Sequence, residues 1–102
     1  MTPEQIAELI TRRRRQLLVH SIIYYRFGEN IISDQQWAQW AIELEELQAK
    51  YPKIAKVCPR AKEFEGFDHS TGYDLPLSDP GDIALARRLL HMHNEGVPKP
   101  YF

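Results

Sequence analysis

The sequence predicts an all-α protein organised around an antiparallel helical hairpin. Three observations carry that prediction. A run from Pro3 to Phe27 holds helical periodicity with no breaker inside it. A second capped, amphipathic run covers residues 34–51. The six residues Gly28-Glu29-Asn30-Ile31-Ile32-Ser33 between them leave room for little except a reversal of direction.

The first helix, residues 3–27, has a strong start. Thr2 can cap, Pro3 suits the first helical position, and Gln5 stands where the partner of a capping box belongs. Gly28 is a natural left-handed stop. Ile6, Ile10, Leu17, Tyr24 and Phe27 recur at helical spacing, with Arg13 and His20 on the same stripe. From Leu17 to Tyr25 nearly every residue is apolar, as in a helix buried on more than one face. At about 1.5 Å per residue this helix is about 36 Å long, so its N-terminal half either projects or lies along a later element.

Arg12-Arg13-Arg14-Arg15 could suggest phosphate contacts. Four consecutive helical residues, however, are spread most of the way round the axis, and Glu8 can pair with Arg12 one turn away. The segment reads as a solvated, partly self-paired stretch of helix.

Ser33-Asp34-Gln35-Gln36 repeats the capping-box pattern and opens the second helix, residues 34–51. Trp37, Trp40, Ala41, Leu44 and Leu47 form its inward stripe, and Glu43, Glu45, Glu46 and Lys50 its wet face. Pro52 stops it. Lys53 to Val57 can add one more helical turn. Residues 58–79 have no sustained period but hold Phe64, Phe67, Tyr73 and Leu75, too many large apolar groups for a disordered linker. They read as an irregular strap anchored across the hairpin. Asp79 and Pro80 start a last helix, residues 80–94, with Ile83, Ala86, Leu89 and Leu90 as its apolar side and Asn94 or Gly96 as its end. The Pro-spaced aromatic tail from Val97 to Phe102 either docks on the core or meets a partner.

Residues 1–102 suit a single domain with one modest core. A formal net charge of -1 gives no global field toward nucleic acid or anionic lipid. Cys58 is the lone cysteine, which excludes an internal disulfide and fits a reducing compartment. No apolar run approaches the roughly 20 residues of a membrane span. A cytoplasmic protein with no membrane partner is expected.

No standard catalytic motif is present: no phosphate loop, Gly-x-Ser-x-Gly, metalloprotease helix or paired-cysteine zinc site. His91 and His93 lie two residues apart and point to different helix faces, so they, Cys58 and His69 lack a diagnostic metal spacing. No metal site is expected. The best candidate site is at the bend. Tyr24 and Tyr25 leave the first helix just before it ends, and Asp34 and Trp37 leave the second in its first turn. His20 lies one turn before Tyr24, where a buried histidine bonded to a carbonyl or a tyrosine is the plain reading and ligand contact the alternative. Aromatic faces can stack on a heteroaromatic ring or hold a cation, and a carboxylate can bond ribose hydroxyls or balance a positive ring. The structural alternative is that Trp37 closes the core and Asp34 complements its helix terminus.

Residues 17–54 carry a more specific pattern. Tyr24-Tyr25, then Ile32-Ser33-Asp34-Gln35-Gln36-Trp37, then Leu44-Glu45-Glu46-Leu47 ending in Tyr51-Pro52, resemble the small helical subdomain at the N-terminus of NAD-dependent bacterial DNA ligases. The chain is also similar to short stand-alone ligase-related proteins of phage and prophage genomes. In the ligases this subdomain closes over the nicotinamide mononucleotide half of NAD. The resemblance therefore implies that Tyr24, Tyr25 and Asp34 stand at nucleotide-contacting positions. Trp37 stands where the family has a tyrosine, and Ala38 where it has a second aspartate, which removes a polar contact. No Lys-x-Asp-Gly nucleophile motif is present, so this chain alone is expected not to ligate DNA. The resemblance implies a non-catalytic accessory module in phage or mobile-element DNA processing, with a protein partner. Two alternatives stand beside it: a nicotinamide mononucleotide or NAD binder using the bend, and a small DNA-binding protein using Arg12 to Arg15, Arg26 and nearby lysines.

Overall fold

A computed structural model of the chain describes residues 1–70 and 75–97. Its helices are α1 (Pro3–Phe27), α2 (Asp34–Lys50), α3 (Pro52–Val57) and α4 (Pro80–Asn94), and no strand occurs among the described residues. The expected all-α class and hairpin are therefore present. The extra turn after Pro52 is a distinct short helix. The proposed anchor Tyr73 and tail residues 98–102 lie outside the described residues. No helix is long and apolar enough to cross a membrane.

Local chemistry sets the helix ends. Thr2 Oγ1 accepts from the Gln5 backbone N–H at 3.1 Å, and the Thr2 N–H donates back to Gln5 Oε1 at 2.8 Å, closing the capping box. Gly28 caps α1 at φ 67°, a left-handed conformation that a glycine adopts without a Cβ penalty. Ser33 Oγ accepts from the Gln36 N–H at 3.0 Å to cap α2, and Asp79 accepts from the Asp82 N–H at 2.9 Å to cap α4.

Helix α1 is the axis of the molecule, whose longest extent is 39 Å. Its N-terminal half does not project. Ile6, Ile10, Leu17 and Leu18 join Ala41 and Leu44 of α2, Ala55 of α3, and Cys58, Phe64, Phe67 and Leu75 of the strap in one core cluster. Val19, Ile22 and Ile23 form a second cluster with Ala86 and Leu89 of α4. Every residue from Gln16 to Ile23 is buried, as the apolar run implied. The stripe does not extend to Tyr24, which is 52 % exposed. The fully buried run ends one turn before the helix does: Phe27 still packs on the second cluster, whereas Tyr24, Tyr25 and Arg26 are exposed.

The four arginines do not share one fate. Arg12 pairs with Glu8 as expected, Nη2 to Oε2 at 2.5 Å, and this holds the Glu8 carboxyl below its ordinary pKa. Arg13 reaches across to Glu43 at 3.3 Å and lies over the Trp40 ring. Arg14 overturns the solvated reading: it is 2 % exposed. Its Nη2 donates to Ala55 O at 2.9 Å, its Nη1 to Pro59 O at 3.0 Å and Cys58 O at 3.2 Å, and its Nε and Nη2 to Gln48 Oε1 at 2.9 and 2.7 Å. Phe64 covers the guanidinium, with its ring centroid 5.9 Å away. Desolvation lowers the Arg14 pKa. The reason for burial is local. A helix leaves its last carbonyls without intrahelical partners, and although Val57 at the end of α3 is exposed, the carbonyls of Ala55, Cys58 and Pro59 turn inward to Arg14. A planar five-donor fork satisfies those carbonyls where one ammonium could not.

A second polar tie joins strap to α4. Arg60 has φ 68°, uncommon for a residue with a side chain. Its guanidinium takes both carboxylate oxygens of Asp82, Nη1 meeting Oδ2 at 2.6 Å and Nη2 meeting Oδ1. Asp82 is 2 % exposed, so the pair neutralises a charge that water cannot reach.

Two predictions follow from these ties. Arg14→Met strands several buried acceptors and should destabilise the fold by about 3 kcal/mol or more, whereas Arg12→Met at the exposed pair should change it by less than about 0.5 kcal/mol. Urea unfolding of the two variants checks this, and equal midpoints would contradict it. Arg60→Ala leaves Asp82 buried and unpaired, so it should cost about 2–4 kcal/mol and exceed the loss in Asp82→Ala, whose remaining arginine can turn to solvent. A double-mutant cycle on thermal unfolding measures that asymmetry.

Candidate functional site

The hairpin geometry builds a cleft at the bend. Helix α1 supplies one wall and the bend with the first turn of α2 the other. Tyr24 and Tyr25 are exposed because they lie on the turn of α1 beyond the core, and Asp34 is exposed because it is the first residue of α2. The cleft has a volume of about 330 Å³, and His20, Ser21, Tyr24, Tyr25, Asp34 and Trp37 line it from the helices. Asn30, Ile32 and Ser33 of the bend and His69 and Ser70 of the strap complete it.

All five residues singled out in the sequence are thus brought together. Tyr24 and Tyr25 meet edge to face, ring centroids 4.9 Å apart and planes at 90°. One ring therefore supports the other while each keeps a face turned elsewhere. Trp37 is half-buried, and its Nε1–H donates to Ser21 Oγ at 3.2 Å. This bond fixes the indole plane and ties α2 to α1 across the cleft floor. His20 is buried, lines the cleft, and packs its ring on Trp40 at 5.5 Å with an interplanar angle of 46°.

The strap residues had no sequence signal, because residues 58–79 lack periodicity. What places them is Glu45 of α2. Its Oε1 accepts from the His69 backbone N–H at 3.1 Å and lies 3.4 Å from His69 Nδ1. Asp68 Oδ1 accepts from both the backbone N–H and the hydroxyl of Ser70, at 2.7 and 2.5 Å, and these bonds hold the Asp68 carboxyl below its ordinary pKa. The "wet" face of α2 is therefore partly used: Glu43 engages Arg13 and Glu45 anchors the strap. Among the described residues, Glu45, Asp68 and His69 are the group whose donor atoms gather within 4.8 Å, whereas Cys58, His91 and His93 do not join them. Hydrogen bonds account for that cluster, and Cys58 is buried with its thiol 3.7 Å from Ala7 O.

The arrangement can stack a flat ring between aromatic faces and offer a carboxylate beside it. Against known proteins, no family model and no solved structure matches this chain. A DNA ligase of Pseudothermotoga lettingae is 36 % identical to it over 52 residues, which is 51 % of this chain and 8 % of the ligase. The chain thus spans a small fraction of the length of the relative it matches, and that partial similarity makes it related to a segment of a DNA ligase.

Proposed function

We propose that this chain is a non-catalytic, ligase-related binding module that works through the cleft at the bend, with nicotinamide mononucleotide, free or within NAD, as its ligand. The observation that carries this reading is convergence. Tyr24, Tyr25, Asp34 and Trp37, separated along the sequence, line one cleft. They are the positions that the resemblance to NAD-dependent ligases maps onto that family's nucleotide pocket. The cleft's 330 Å³ lies at the lower end of the roughly 300–1,000 Å³ typical of ligand sites, which suits a nucleoside-sized group better than a whole dinucleotide. The aromatic faces would stack on the nicotinamide ring, and Asp34 would meet the ribose hydroxyls or the ring's charge.

The wider role that we propose is accessory: a cytoplasmic module of phage or mobile-element DNA processing that acts with a protein partner. The similarity to a ligase segment supports a place in DNA metabolism. The reading through Arg12 to Arg15 as a nucleic-acid surface is weaker, since Arg14 is committed to the interior and Arg12 and Arg13 face Glu8 and Glu43.

Titration with nicotinamide mononucleotide, followed by Trp37 and Trp40 fluorescence, tests the ligand. A saturable change with Kd at or below about 1 mM is expected, and Asp34→Ala should weaken it at least about tenfold while costing the fold no more than about 1 kcal/mol, the loss of one helix-terminal charge. No change at millimolar ligand, or an identical curve for the variant, refutes the reading.

A further inference from the structure

A second cleft, of about 510 Å³, opens between α3 and the first part of the strap. Pro52, Ala55, Ala61 and Phe64 make its apolar wall. The charged residues of its described lining are Arg14, Lys56, Lys62 and Glu65, so cations outnumber the carboxylate. Arg14 is the buried one, and its guanidinium differs from those of Arg12, Arg13 and Arg60, each of which meets a carboxylate. Every acceptor that Arg14 holds is neutral: the Gln48 amide and the carbonyls of Ala55, Cys58 and Pro59. Glu63 acts on it from beyond bonding distance and is itself exposed. The hydrogen bonds of this cation are satisfied, but its charge is not balanced in contact. Screening is weak around a buried group, so its field reaches the cleft more strongly than that of a surface lysine. Lys56 and Lys62 add to that field. Both are exposed, and neither pairs with a carboxylate among the described residues. Glu65 is exposed as well, where water screens it.

We infer that this second cleft docks an acidic peptide segment of a protein partner, whose carboxylates meet Lys56 and Lys62 and whose apolar side chains cover Pro52, Ala55 and Ala61. This gives the partner proposed above a chemistry and a surface, and it uses no residue that lines the cleft at the bend. The lining decides between a peptide and a nucleic acid. Phosphate-driven binding grows with the number of phosphates neutralised, and two rim lysines neutralise few. The aromatic ring of the lining, Phe64, is 1 % exposed and offers no face on which a base could stack. A peptide supplies both complements, carboxylates for the rim and apolar groups for the wall. The lysines would bond it directly. Arg14 acts through its field alone, because the donors of its guanidinium are already engaged.

Amide NMR of the whole chain, titrated at low salt with a short synthetic peptide of glutamates interrupted by leucines, tests this. Saturable shifts should gather at Ala55, Lys56, Ala61 and Lys62, with Kd at or below about 1 mM. Replacing the leucines by serine should weaken binding at least about threefold, and so should raising the salt to about 0.5 M. The double variant Lys56→Glu, Lys62→Glu should weaken it at least about tenfold. The charge-matched double variant Arg87→Glu, Arg88→Glu on α4 should stay within about threefold of the parent chain. No saturable shift, shifts that gather elsewhere, or equal losses in the two double variants overturn the inference. An oligothymidylate of equal charge that binds the same residues more tightly than the peptide overturns it in favour of nucleic acid. Both double variants should take up nicotinamide mononucleotide as the parent chain does, so failure here leaves the nucleotide reading of the bend standing.

Discussion

The buried guanidinium of Arg14 is the interaction on which the architecture depends. It belongs to α1, yet it holds Gln48 of α2, the carbonyl of Ala55 in α3, and the carbonyls of Cys58 and Pro59 where the strap begins. A chain of this length has little apolar surface to spare, and an irregular segment brings unpaired peptide groups wherever it crosses the core. One planar cation with donors on three nitrogens meets those groups at a single point. The strap can then leave α3 and cover the hairpin without stranding those backbone acceptors. Gln48 works in both directions, accepting from Arg14 and donating to the Phe64 carbonyl at 3.3 Å, so the same network fixes the aromatic anchor of the strap.

That anchoring has a consequence at the other end of the hairpin. Helix α1 is clamped on two sides, by α2 with the strap and by α4, and its buried run stops at Ile23. The next turn continues the helix: Phe27 packs back on the α4 cluster, while Tyr24, Tyr25 and Arg26 face solvent. Tyr24 and Tyr25 are therefore displayed on a stiff support. Trp37 is held from the opposite helix by its bond to Ser21, and the strap returns over α2 through Glu45 to add His69 and Ser70. A cleft built on helices keeps its shape before any ligand arrives, which lowers the ordering loss on binding.

The chemistry of that cleft is one-sided. Its described lining offers ring faces, a carboxylate, hydroxyls and two imidazoles, and includes no lysine or arginine. The similarity to a DNA ligase covers 51 % of this chain and 8 % of the ligase, and a shared fold does not by itself fix a shared activity.

Local signals determined the helices. Thr2, Ser33, Asp79, Gly28 and the prolines at 3, 52 and 80 act through bonds and clashes within a few residues, so their meaning is legible without the rest of the chain. The meeting of Tyr24, Tyr25, Asp34 and Trp37 was legible for a related reason: a short turn between two helices leaves them little choice. Only the tertiary structure decided that Arg14, alone of four consecutive arginines, turns inward, because the carbonyls it satisfies lie more than 40 residues away in α3 and the strap. The same holds for Arg60 and Asp82, and for the placement of His69 beside the bend. Aperiodic segments carry no pattern that announces their partners. Their positions follow from which buried groups elsewhere remain to be paired, and that is a property of the folded chain as a whole.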